Sequence, residues 1–86
     1  MQAEIGSGAD LGRLVKHIRL RHGLTQRELA ARLGVSHRWY SELESGKGKQ
    51  ANERYFEVLE RLGIRLFAEI DDFAAGEASD AEGGRG

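Results

Sequence analysis

Between His37 and Glu42 the chain gathers an imidazole, a guanidinium, a hydroxyl and a carboxylate, on His37, Arg38, Ser41 and Glu42. At helical spacing these four share one side of a helix, the second pair one turn beyond the first. Their common chemistry is multiple hydrogen bonding, the kind that reads polar edges, and not bond-making. Catalysis finds little else in the chain to use. There is no cysteine, and His17, His22 and His37 lack a spacing that puts two on one helical face, so neither a metal set nor a nucleophile with its base is visible. Gly6-Ser7-Gly8 follows no strand and Gly46-Lys47-Gly48-Lys49 lacks phosphate-loop spacing. The expectation is a protein that is not an enzyme and takes no cofactor.

The elements that must position those four residues are short helices. Asp10 reads as an N-cap, with Leu11, Leu14, Val15 and Ile18 at helical spacing up to Gly23. Thr25 and Glu28 form a capping box ahead of Leu29, Ala30 and Leu33, and Gly34 stops that run. Ser36 caps a third helix with Tyr40 and Leu43 inward, closed at Gly46 by a left-handed glycine. Asn52 caps a fourth, with Tyr55, Phe56, Leu59 and Leu62 inward until Gly63.

At Ile64 the period changes to two. Ile64, Leu66, Ala68 and Ile70 alternate with Arg65, Phe67 and Glu69, the pattern of a strand. No second strand candidate exists in the chain, and a lone strand leaves its backbone groups unpaired. Its natural partner is the same strand in a second copy, antiparallel across a two-fold axis. The alternative is an extended coil folded back on the helices. Residues 1–9 read as a flexible arm, and residues 71–86, rich in Ala, Gly and acid, as a disordered tail. The expected organisation is an all-α domain over 10–63, a dimerisation strand over 64–70 and that tail.

Eighty-six residues make one small domain of marginal stability, for which a partner copy is useful. Absent cysteines and the lack of a long apolar run point to the cytoplasm and away from membranes. The net charge of −1 conceals a division along the chain. Residues 11–49 carry nine Lys/Arg against Glu28, Glu42 and Glu44, whereas residues 50–86 carry four Arg against nine Asp/Glu. A basic segment of this kind suits a polyanion. Joined by Gly34-Val35-Ser36, the second and third helices form a helix-turn-helix candidate, whose second helix would carry His37, Arg38, Ser41 and Glu42 to base edges in a major groove.

Gly23-Leu24-Thr25-Gln26, Glu28-Leu29-Ala30, Leu33-Gly34-Val35-Ser36 and Leu43-Glu44 followed by Gly46-Lys47 resemble, in order and spacing, the Cro/C1-type (XRE) helix-turn-helix family over about residues 11–62. The resemblance implies a lambda-repressor-like four-helix fold. Residues Leu62 to Leu66, with a strand directly after the fourth helix, are similar to HipB-type antitoxins. The family's pattern places Gln26 on phosphate, and Ser45, Lys47 and Lys49 on phosphate from the loop after the third helix. It makes Arg38 a reader of guanine, His37 a donor or acceptor, and Glu42 an acceptor from cytosine. Arg19 and Glu44 become a structural ion pair. Trp39 departs from the family's small residue and is expected on the DNA backbone, the alternatives being partial burial or a thymine methyl.

The function so implied is a dimeric repressor of an inverted-repeat operator. As the antitoxin of a HipBA-like pair it would also bind a HipA-like toxin kinase. A stand-alone regulator and a protein-interaction module without DNA binding are the alternatives.

Overall fold

The computed structural model describes residues 1–71, so the expected tail lies outside the described residues apart from Asp71. Four helices follow one another: α1 (Gly8–Arg21), α2 (Gln26–Leu33), α3 (His37–Glu44) and α4 (Glu53–Arg61). None is long and apolar enough to cross a membrane. Three caps stand where expected. Thr25 and Glu28 close a reciprocal capping box, and the side chains of Ser36 and Asn52 accept from the N–H groups of Trp39 and Tyr55.

The first helix starts earlier than its pattern suggests. Ser7, not Asp10, is the N-cap, accepting from the Asp10 N–H at 3.1 Å. Asp10 sits instead within the first turn, where a carboxylate complements the helix dipole. There it accepts from the Gly6 N–H at 2.9 Å and pairs with Arg13. The Gly6 bond is the main reason its carboxyl is held below the usual range.

The core consists of Leu11 and Val15 from α1, Leu29, Ala30 and Leu33 from α2, Tyr40 and Leu43 from α3, and Val58 and Leu59 from α4. Phe56, expected inward, is 47% exposed. The inward stripe of α4 is Tyr55, Val58, Leu59 and Leu62, at intervals of three, four and seven, which leaves Phe56 about 100° round the helix. Helix α3 packs on both α1 and α2. Its contact with α1 is unusually close at Gly12, where an added Cβ would lie 2.2 Å from the Glu44 carbonyl oxygen. Backbone meets backbone there, so only glycine fits.

Beyond α4, Ile64 is half-buried against the core and its N–H donates to the Leu59 carbonyl at 2.9 Å, closing the helix end. Residues 65–71 run on without strand pairing in the single chain; among the described residues no strand is formed. Leu66, Phe67 and Ile70 are 57%, 79% and 85% exposed. Ala68 is exposed as well. Both sides of the expected alternation therefore face solvent in one copy.

Candidate nucleic-acid interface

The α2–α3 turn follows from its three residues. Gly34 adopts φ +73°, a left-handed conformation that ends α2 at no Cβ cost. Val35 packs against the core and its N–H returns to the Ala30 carbonyl at 3.1 Å. Ser36 then caps α3. With Tyr40 fully buried and Leu43 3% exposed, the rotation of α3 about its axis is settled, and positions 37, 38, 41 and 42 fall away from the core.

Arg38 is the most outward of these, its side chain 89% exposed. His37 is half-buried and faces the start of α2, with Nε2 3.1 Å from Gln26 Oε1. Because a carbonyl oxygen only accepts, His37 is the donor in that bond. The amide of Gln26 donates in turn to Glu44 Oε1 at 2.9 Å. Ser41 is half-buried. Glu42 is held by two cations of its own chain, Arg38 Nε at 3.3 Å and Lys49 Nζ at 2.5 Å. Those bonds, Lys49 first and Arg38 second, hold its carboxyl below the ordinary carboxylate range.

The loop after α3 is less open than its glycines suggest. Lys49 lies 5.2 Å above the Trp39 ring with only 10% of its side chain exposed, so it is folded onto α3. Trp39 is half-buried against the core, the inward alternative, and meets the loop through its ring face. The Ser45 hydroxyl donates to the Glu42 carbonyl at 3.0 Å. Lys47 is exposed and, among the described residues, has no acidic partner.

Behind this surface Arg19 and Glu44 form the expected ion pair, Nε to Oε2 at 2.5 Å, with side chains 11% and 5% exposed. A second bond joins the guanidinium to Glu44 Oε1 at 3.2 Å, and a third reaches the Leu24 carbonyl at 2.9 Å. The Tyr40 hydroxyl also donates to Glu44, at 2.6 Å. Burial by itself pushes the Glu44 carboxyl up, but the bonds from Arg19, Tyr40 and Gln26 outweigh it and hold the group below its usual range. Burial, and next the bond to Glu44, push the Tyr40 phenol up.

Sequence reasoning missed three features here. The apolar pattern of α3 marks Tyr40 as core alone, although its i,i+4 spacing to Glu44 is a usable signal. The Gln26–Glu44 bond and the Lys49–Trp39 stack join elements with no local spacing rule, and nothing in the sequence marks them.

Two short helices at a glycine turn, with the second helix presenting an arginine outward above an internal ion pair, define a helix-turn-helix domain. Residues 10–64 match the helix-turn-helix domain family, and the chain belongs to it. Over 77 residues, 90% of this chain and 96% of the relative, it is 38% identical to an HTH-type transcriptional regulator of Sinorhizobium fredii, y4mF. Its fold is similar to that of HipB in a HipB–O4 20mer complex, at a TM-score of 0.65 and 24% identity, covering 83% of this chain and all of that one. A HipA–HipB–O2–O3 complex gives the same score, identity and coverage.

Proposed function

We propose that the protein is a sequence-specific DNA-binding transcriptional regulator that represses by occluding an inverted-repeat site as a dimer. One observation carries the reading: at the N-terminal end of α3, Arg38 points into solvent beside His37, which is bonded to Gln26 at the N-terminus of α2. Free backbone N–H groups at the start of α2 favour a phosphate, and α3 then meets the adjoining major groove. Arg38 reads guanine; His37 and Ser41 reach neighbouring edges. Lys47 and the Gln26 end of α2 supply backbone affinity.

The dimer is formed by the exposed apolar segment around Leu66, Ala68 and Ile70, paired antiparallel with its copy, Ile64 staying on its own core. Two recognition helices about 34 to 36 Å apart then enter successive major grooves. The likeness to HipB, solved in an O4 20mer complex and in a complex with HipA, supports the narrower role of an antitoxin that also binds a HipA-like kinase.

A selection of duplexes from a randomised library, followed by gel shifts at two salt concentrations, tests the reading. Salt-sensitive, sequence-selective binding is expected. Absence of any salt-sensitive binding makes the protein an interaction module instead. Co-purification of a kinase encoded in the adjacent reading frame tests the antitoxin role; a lone gene there favours a stand-alone regulator.

A further inference from the structure

Glu42 stands on the face of α3 that would approach phosphate, where a carboxylate is repelled. Both of its oxygens are nonetheless occupied. Oε2 accepts from Arg38 Nε one helical turn back, and Oε1 accepts from Lys49 Nζ across the loop. Lys49 is in turn pressed over the Trp39 ring. One carboxylate therefore ties together the exposed arginine, the lysine loop and the half-buried indole. Arg38 is engaged only through Nε among the described residues. The two terminal nitrogens remain available for a ligand.

We infer that Glu42 is a positioning residue and not a base reader: it aims Arg38 and pins the Gly46–Lys49 loop through Lys49. The inference rests on the DNA-binding reading above and assigns a role within that interface. Its physical basis is preorganisation. An arginine already restrained at Nε loses less rotamer freedom when its outer edge meets a base. A carboxylate already shared between two cations also repels phosphate less than a solitary one. In the reader's role, by contrast, Glu42 would have to leave both cations to reach a cytosine amino group.

The test measures fluorescence anisotropy for the tightest duplex recovered from a randomised library, and for its single base-pair variants. Proteins are the wild type, Glu42→Ala, Glu42→Gln, Arg38→Ala and the Glu42→Ala/Arg38→Ala double variant, each checked for an unchanged thermal midpoint. Glu42→Ala is expected to lose discrimination at the same base pair as Arg38→Ala, by about tenfold. In base discrimination the double variant should be no worse than Arg38→Ala alone, because the two act as one unit there. Glu42→Gln, which keeps an acceptor oxygen, should fall between Glu42→Ala and wild type. Relaxation at a different base pair, losses that multiply in the double variant, or an equal fall on every sequence overturns the inference.

A second measurement needs no DNA. Trp39 is the only tryptophan, so quenching of its fluorescence by acrylamide, a neutral quencher indifferent to the lost charge, reports whether Lys49 covers the ring. Quenching should rise in Glu42→Ala; unchanged quenching overturns the pinning of the loop. If the wild type binds no duplex, the DNA-binding reading has failed and the aim assigned to Arg38 falls with it, while the quenching result still decides the latch.

Discussion

Gln26 and Glu44 are joined by a 2.9 Å hydrogen bond across 18 residues of sequence. The bond makes the internal Arg19–Glu44 pair and the outward His37 one connected network, since Gln26 also accepts from His37. The surface proposed to meet DNA is therefore positioned by charges buried behind it.

Removing one partner of that pair strands the other. Arg19→Ala or Glu44→Ala should cost about 3 to 5 kcal/mol, a large part of the stability of a domain this small. Urea unfolding followed by circular dichroism measures it, and a loss below about 1 kcal/mol would show the pair to be no stronger than a surface one.

The same carboxylate sets an acid limit. Its ordinary value is 4.5 and folding lowers it. The native state thus binds the proton less readily than the unfolded chain, so the contribution is fully present above 4.5 and lost as pH falls through the folded value. Thermal midpoints should drop below pH 4.5, with a shallower drop in Glu44→Gln. Parallel curves for the two proteins would assign acid sensitivity to other groups.

Gly12→Ala should destabilise despite alanine's better helix propensity. Propensity favours alanine by about 1 kcal/mol. Against it stands a Cβ placed 2.2 Å from the Glu44 carbonyl oxygen, which forces α1 and α3 apart at a typical overpacking cost of about 1 to 3 kcal/mol. A variant as stable as wild type in chemical denaturation would mean that the two helices slide apart at little cost.

Arg38→Ala and Lys47→Ala should fail differently on DNA. The first should relax base preference and cost about 1 to 3 kcal/mol on the selected duplex; the second should weaken all duplexes alike and flatten the salt slope by about 0.9. Titrations on selected and random duplexes separate them, and equal losses on both for Arg38→Ala would remove it from the readers.

Leu66→Pro should yield monomers, since proline removes a ladder donor from the segment proposed to pair. Sedimentation equilibrium decides the point. A variant that remains dimeric places the interface elsewhere, with the exposed Phe56 the next surface to mutate.

Much of the architecture was legible in single residues. Thr25 with Glu28, Ser36, Asn52 and the four positive-φ glycines Gly23, Gly34, Gly46 and Gly63 mark helix ends as expected. Where the structure differs from the pattern, a near-equivalent residue stands close by: Ser7 ahead of Asp10 as cap, and Val58 two places beyond Phe56 in the stripe. Among the candidate interface residues, Arg38 projects outward as its register requires. The family's pattern places Lys49 on phosphate, and nothing local to it announces Trp39 or Glu42 as its anchors.

What the amino-acid order settles is what can be read along the chain itself: caps, apolar stripes, glycine turns and the net positive charge of residues 11–49. The Arg19–Glu44 pair, 25 residues apart, is foreseen only through the family resemblance, and packing alone could thread Gln26 between Glu44 and His37. The physical reason is range. A helix cap is decided by one turn of backbone, whereas a buried charge finds its partners through whichever helix the core presses against it.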